Sequence, residues 1–323
     1  MKHFDIAAND AGQRLDKFLQ KAAPDLPPAL LYKALRTKHI KLNKKRAEGS
    51  TRLQAGDILD CWLPDELFAP PAYQYDFLRA GRALEVLFED EHVLLLDKPA
   101  GLLSHPDESE YIDTLLGRAQ RYLYEKGAYD PAGEQAFAPA LVNRIDRNTQ
   151  GIVIAAKTAE ALRVLNEKMK NRELRKFYLC AVHGVPAIGE KQPDGWRLLR
   201  GWLEKDENKS LVHVYNHPRE GAKESLTKYR VMEAGEISLL EIELLTGRTH
   251  QIRAQFAAIG HALAGDSKYA PRAQYQADLK RGLRRQCLCS HRIVFEFTRE
   301  SGALEGLRGL DVSVKNAAFI KYL

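Results

Sequence analysis

The chain has 323 residues and 45% apolar content, enough for one large domain and a small one, each with a buried core. Its opening stretch, MKHFDIAANDAGQRLDKFL, carries a charge every few positions, so neither a signal peptide nor a membrane span is expected and a cytoplasmic location follows. Net charge is +6, and most of the excess falls within residues 1–63, chiefly in KALRTKHIKLNKKR, Lys33 to Arg46, which contains no acidic residue.

In chain order, Leu15, Phe18, Leu19 and Ala22 recur at helical spacing from Gly12 to about Ala23, and Pro24, Pro27 and Pro28 then stop the helix. A second helix is predicted from Ala29 to about Thr37, with Leu30, Leu31, Ala34 and Leu35 on one side and Lys33 and Arg36 facing outward. HIKLNKKR reads as a strand running into a turn. Ala55-Gly56-Asp57 marks another turn before a strand over Ile58 to Leu63. Residues 1–63 therefore form a compact α+β unit. Its basic run can neutralise phosphates with little sequence preference, the alternative being a solvated face.

Residues 64–81, PDELFAPPAYQYDFLRAG, are proline-rich and aperiodic, which predicts an extended linker and a domain boundary. Beyond it, strands are predicted at Val93 to Leu96, in GIVIAAKT, KFYLCAVHG, VHVY and SLLEIELLTG, and in HRIVFEF. Helices are predicted over Ala159 to Asn171 and in THQIRAQFAAIG, where Gly260 is the C-terminal stop. The fold class is α+β, a mixed sheet decorated by helices rather than alternating βα units.

Three segments could carry chemistry. NRIDRNTQG, Asn143 to Gly151, places charges between an apolar approach and a strand; a site or a structural Asp to Arg bridge would both explain it. In LLTGRTHQIRAQF, Gly247, Arg248, Thr249, His250 and Gln251 crowd a helix entry whose free N–H groups attract anions, with Arg253 in the first turns; a capped helix with surface arginines is the alternative. In KFYLC, strand alternation points Tyr178 and Cys180 to one side and Phe177 and Leu179 to the other. Cys61, Cys180, Cys287 and Cys289 match no zinc or disulfide framework and read as reduced and structural. No histidine pairing predicts a metal, and no Gly-rich loop predicts a nucleotide cofactor.

Together these motifs resemble the pseudouridine synthases of the RluA-like branch. Asn143 to Gly151 is similar to that branch's HRLDxxTSG motif, Lys176 and Tyr178 to its KxY strand, and Gly247 to Tyr269 to its GRxHQIR and GHxxxGDxxY segments, with DKPAGLLSHP, Asp97 to Pro106, preceding them in order. The resemblance spans about residues 85–298. Residues 1–63 resemble the S4 RNA-binding domain, through Arg14-Leu15-Asp16, the Lys33, Arg36 and Lys38 run, Ile40 to Asn43 and Gly56-Asp57. The implied organisation is an S4-like domain over 1–63, a linker over 64–81 and a catalytic domain over 82–323.

The resemblance implies an isomerase that detaches uracil from ribose, rotates it and rejoins it through carbon 5, with no cofactor, metal or energy source. Asp146 would be the catalytic carboxylate, ionised beside its orienting cation Arg253. Tyr178 would pack against the uracil. Arg144 and Arg248 would contact RNA at the site, and Lys33, Arg36, Lys38, Lys41, Lys44 and Lys45 would grip it from the S4-like domain. The expected partner is RNA, 23S ribosomal RNA before transfer RNA, bound by a monomer. A non-catalytic RNA-binding or ribosome-assembly protein and a two-carboxylate glycosidase are the rival readings. Asn143, Ile145 and Gln150 depart from the motif's histidine, leucine and serine, LCSHRIVFEF is a poor copy of the LHAxxLxF stretch, and the last twenty residues have no counterpart.

Overall fold

The computed structural model describes residues 1–68, 75–206 and 211–323. In the amino-terminal unit, helix α1 (Leu15–Ala22) buries Leu15, Phe18 and Leu19, and α2 (Pro28–Arg36) starts on a proline whose missing N–H has no helical partner to lose. Four strands complete the unit: β1 (Lys2–Asp5), β2 (Ile40–Leu42), β3 (Lys45–Arg46) and β4 (Ile58–Cys61), in the order β1-β4-β2-β3. Strand β1 escapes sequence reasoning because only Phe4 of its four residues is buried, so no alternation announces it. Between β2 and β3, Asn43 and Lys44 both hold positive φ, the conformation a two-residue hairpin turn requires. The Asn43 amide braces that turn by donating to Asp57 and accepting from the Ile58 N–H, at 2.8 Å each. The turn holds Lys44 and Lys45 out in solvent.

The described parts of the segment expected to be an extended linker form short turns. Residues 69–74 lie outside the described residues, but Asp65–Phe68 and Asp76–Arg79 on either side are short 3-10 turns. Phe68 packs into the amino-terminal core and Phe77 stacks edge-on against Tyr124 of the larger unit. The two units also touch directly. Asn9 accepts from the Ala159 N–H at 2.8 Å, Gln135 donates to the Asp5 carbonyl at 2.8 Å, and Arg163 donates to the Ala11 carbonyl.

The larger unit is built on β5 (Glu85–Glu89), β6 (Val93–Lys98), β7 (Ala140–Leu141), β8 (Gln150–Ala156), β9 (Leu174–His183), β10 (Glu190–Lys191), β11 (Arg197–Asp206), β12 (Leu211–Tyr215), β13 (Lys223–Glu233), β14 (Ile237–Leu244), β15 (Leu288–Phe295) and β16 (Asp311–Ser313). Among the described residues they form one sheet with the main order β10-β11-β13-β14-β9-β15-β8-β6-β5. It is mixed, because β8 and β15 pair in parallel while the other ladders are antiparallel. Both faces are covered. Alternation along β6 and β8 sends Leu94, Leu96, Val153 and Ala155 to one core with Tyr178 and Cys180, and Val93, Leu95, Ile152 and Ile154 to the other with Leu179.

Helices α3 (Leu115–Glu125) and α5 (Gln251–Ala258) cover the first face, α4 (Ala159–Lys170) covers the second, and α6 (Arg272–Lys280) lies beyond α5 in the chain. The helices expected from periodicity correspond to α4 and α5, whereas α3 and α6 are additions that the pattern does not announce. Gly117 interrupts the apolar pattern of α3 for a steric reason, since a Cβ there would sit 2.5 Å from the Ile112 carbonyl oxygen. The last twenty residues also have a place. Leu304, Leu307, Val312, Val314 and Ala317 close the second core. All four cysteines are buried and unpaired.

Glu89, on β5, offers a test of this framework. Burial would raise its carboxyl, but hydrogen bonds from Lys126, Tyr122 and Lys157 more than reverse that and bring it to about 2. The folded value lies below the unfolded one, so the stabilisation is complete above about pH 4.5 and drains away as pH falls toward 2. Glu89→Gln is therefore expected to cost on the order of 2 kcal/mol near neutrality, with the difference shrinking in acid. Urea unfolding across pH reads this out, and a pH-independent difference would remove the ionic role.

Candidate active site

Strand β8 begins at Gln150, within the end of the NRIDRNTQG segment, and its register depends on Gly151. That residue holds φ +119°, and a Cβ there would fall 2.2 Å from the Ser290 carbonyl oxygen on β15. Only glycine lets the two parallel strands approach so closely. The preceding loop is then fastened from several sides. Ser104 donates to the Ile145 carbonyl at 3.0 Å, the Gly101 N–H donates to the Arg147 carbonyl at 2.7 Å, and the Thr149 N–H closes a turn onto the Asp146 carbonyl at 3.0 Å.

Lys98 supports the same loop from below and carries no separate signal within its motif. It is completely buried, and its ammonium donates to the carbonyls of Pro99, Leu102 and Arg147 at 3.0, 2.7 and 3.0 Å. Burial pulls it down to about 7, opposed by the negative charge of Asp146 and Asp97. Gln286, in a segment that suggests nothing in sequence, donates to the Thr149 hydroxyl at 2.9 Å.

This scaffold presents the Asp146 carboxylate, 30% exposed, to Arg253 from α5. Arg253 Nη1 donates to Asp146 Oδ2 at 2.9 Å. The other edge of the guanidinium forks onto Asp266, with Nε to Oδ2 at 2.7 Å and Nη2 to Oδ1 at 2.9 Å. Asp266 has no exposed surface and also accepts from the Lys268 and Tyr269 N–H groups. Burial alone would raise its carboxyl, and the Arg253 guanidinium more than reverses that. A buried arginine thus shares its planar fork between a deep carboxylate and a half-exposed one. Lysine could not do both.

A cleft of about 440 Å³ opens over Asp146 and is lined by Tyr178, Ile252, Leu288, Lys176, Arg144 and Arg248 among others. Burial pushes the Tyr178 phenol up to about 12, so it stays protonated near neutrality. Arg144 and Arg248 are exposed at the rim, and Arg248 donates to the Glu224 carbonyl at 3.1 Å. Five residues singled out from sequence, Asp146, Tyr178, Arg253, Arg144 and Arg248, therefore meet at one cleft. Lys33, Arg36, Lys38, Lys41, Lys44 and Lys45 do not join them, being on the amino-terminal unit, where Lys41 lies over the Trp62 ring at 5.0 Å. Among the described residues no group of His, Cys, Asp and Glu side chains is arranged to hold a metal ion.

Two departures from the motif have structural explanations. Asn143 Oδ1 accepts from the Ile154 N–H at 2.8 Å, so it fixes the loop to β8. Gln150 reaches the carboxyl-terminal segment, donating to the Asn316 carbonyl at 3.0 Å and accepting from the Ala318 N–H at 2.8 Å.

The cleft thus brings together a carboxylate held by a buried arginine, the Tyr178 ring and two exposed arginines at the rim. Residues 92–258 match the family described as RNA pseudouridylate synthase, and the chain belongs to that family. It is an isomerase whose substrate is RNA. Ribosomal large subunit pseudouridine synthase C of Vibrio cholerae is 30% identical, over 98% of this chain and 96% of the relative. The Escherichia coli K12 protein of the same name is 32% identical over 83% of this chain and 79% of its own length. Among solved structures, human RNA pseudouridylate synthase domain containing 4 superposes with a TM-score of 0.55 at 18% identity, covering 78% of this chain and 96% of that one. Domain containing 1, also human, gives 0.54 at 17%, over 77% and 86%.

Proposed function

We propose that this chain isomerises uridine to pseudouridine in large-subunit ribosomal RNA, with Asp146 as the carboxylate that acts on the substrate. The observation that carries the reading is the Asp146 carboxylate lining a cleft of about 440 Å³, anchored at 2.9 Å by an arginine that is itself buried and paired. That arrangement suits a nucleophile or base whose orientation must not drift. The names of the relatives that cover most of the chain favour large-subunit ribosomal RNA over transfer RNA.

In this reading the target uridine leaves its stack, at a cost of a few kcal/mol unless it already lies in a loop, and enters the cleft. Tyr178 packs against the uracil. Its high phenol value fits a wall and a hydrogen-bond donor rather than a free base. Arg144 and Arg248 take flanking phosphates at the rim. The net reaction moves no electrons to or from a cofactor, so the side chains of the cleft suffice. No helix among the described residues is long and apolar enough to cross a membrane. A ribosomal RNA substrate would place the enzyme in the cytoplasm.

Comparing pseudouridine maps of total RNA from cells with and without the gene tests the assignment. Loss of one or more sites in large-subunit RNA is expected. Loss confined to a transfer RNA would change the substrate, and an unchanged map would defeat the reading.

Residues 1–63 act as an S4-like RNA-binding domain and 82–323 as the catalytic domain, with 64–81 joining them. Lys33 and Arg36 lie on α2, Lys38 in the turn that follows it, and Lys41, Lys44 and Lys45 on the β2–β3 hairpin, and all would meet phosphates. Replacing them with glutamine in the full-length protein should flatten the plot of log affinity against log salt by about 0.7–0.9 for each phosphate no longer neutralised. An unchanged slope, measured by titration of the RNA, would remove these lysines and this arginine from the interface.

A further inference from the structure

One side chain of the cleft is held with more care than its packing requires. His250 precedes α5 with φ +52°, a left-handed conformation that costs a non-glycine residue roughly 1–2 kcal/mol. Glycine or asparagine would take that backbone more cheaply, so the imidazole itself is what the position retains.

The ring is oriented by a chain of hydrogen bonds. The Val212 N–H, on β12, donates to the Tyr269 hydroxyl oxygen at 2.9 Å. The same hydroxyl lies 2.8 Å from His250 Nδ1. With the oxygen already accepting from Val212, the arrangement favours its proton pointing to Nδ1, with Nδ1 as the unprotonated nitrogen. The remaining proton of the neutral ring sits on Nε2, which faces the cleft 3.9 Å from Asp146 Oδ2. That separation is too long for a hydrogen bond, so the donor is aimed at the reacting carboxylate's side of the cleft without being consumed by it. Burial lowers the imidazole, opposed by Asp146 and assisted by Arg253, which favours the neutral ring.

From this geometry we infer that His250 is a further catalytic residue, whose Nε2–H donates to a carbonyl oxygen of the bound uracil and holds the base while it is detached. The inference rests on Asp146 as the reacting carboxylate. When the bond between C1′ and N1 breaks, its electron pair stays with the uracil and negative charge spreads onto the carbonyl oxygens. A fixed neutral donor stabilises that charge without surrendering its proton. After rotation, C5 bonds to C1′, the C5 proton departs and N1 gains one, so the donor ends as it began. Tyr269 is a positioning residue here, acting only by fixing which nitrogen carries the proton.

The test combines two measurements on the full-length enzyme. Nitrogen-15 spectra of labelled histidine, with His250 assigned by its absence in His250→Gln, should show the neutral Nε2–H tautomer near neutral pH, and Tyr269→Phe should abolish that preference. An Nδ1–H tautomer or an imidazolium in the wild type would overturn the inference. Single-turnover pseudouridine formation on total RNA from cells lacking the gene should fall about 100-fold in His250→Ala with RNA affinity little changed. His250→Gln, which can present an amide N–H at a similar place, should recover much of that loss. A folded Ala variant at wild-type rate, or a Gln variant as slow as Ala, would overturn it. Asp146→Asn is run alongside. If that variant is inactive while His250→Ala is fast, the donor role alone falls; if it is fully active, the reading of the site falls and the donor role with it.

Discussion

Asp146→Asn is expected to slow pseudouridine formation by about 10²–10⁴-fold or more, the range over which a reacting general base is worth its place. RNA affinity should be largely unchanged, because the substitution leaves the rim arginines and the amino-terminal lysines untouched. The fold should also survive. Asparagine still offers an oxygen to Arg253 Nη1, and Arg253 keeps both of its bonds to Asp266. The loop around position 146 is fastened through main-chain atoms by Ser104, Gly101 and Lys98, whose hydrogen bonds there are not made to the carboxylate. Single-turnover assays with mapped product, beside a binding titration of the same RNA, separate the two effects. An asparagine variant that still converts uridine at the wild-type rate would end the assignment, and the glycosidase rival would gain only if a second carboxylate proved equally essential.

How much of the fold and site is legible in the sequence depends on what each residue needs from its neighbours. Helices α4 and α5 and strands β6, β8, β9 and β14 declare themselves through apolar periodicity, because each buries a continuous face. Strand β1 and helix α6 do not, since one buries a single side chain and the other is polar along most of its length. Asp146, Tyr178 and Arg253 are found as members of ordered motifs, and their meeting at one cleft is a tertiary fact that spacing alone leaves open. Lys98 and Gln286 act through carbonyl and hydroxyl contacts with loops distant in sequence, which no local pattern encodes. Two oddities of the sequence turn out to be one feature. Gln150, in place of serine, is the residue that ties the carboxyl-terminal segment to the start of β8, and that segment supplies Val314 and Ala317 to the second core.

Asp266→Ala is expected to be the most damaging single change to the scaffold beneath the site. Asp266 is fully buried and accepts from Nε and Nη2 along one edge of the Arg253 guanidinium and from two backbone N–H groups. Removing one member of a buried ion pair typically costs 3–5 kcal/mol, about that much being expected here, because the surviving charge is left without its partner. The sign with pH follows from the lowered Asp266 carboxyl. Its contribution is present above the ordinary carboxylate range and is lost as pH falls through the lower folded value, so the gap between wild type and variant should narrow in acid. Activity should fall even where the variant remains folded. Arg253 would keep only its bond to Asp146 and the contact of its guanidinium with the Tyr269 ring at 5.1 Å, and neither fixes the plane of the fork. Loss of that plane lets the reacting carboxylate drift, and a displacement of about 1 Å at a reacting group can cost around 100-fold. The discriminating experiment measures unfolding and single-turnover rate on the same preparation below its melting range. Wild-type stability in the alanine variant would show that Arg253 does not lean on Asp266, and a wild-type rate in a destabilised variant would show that the fork's orientation is not what Asp146 needs.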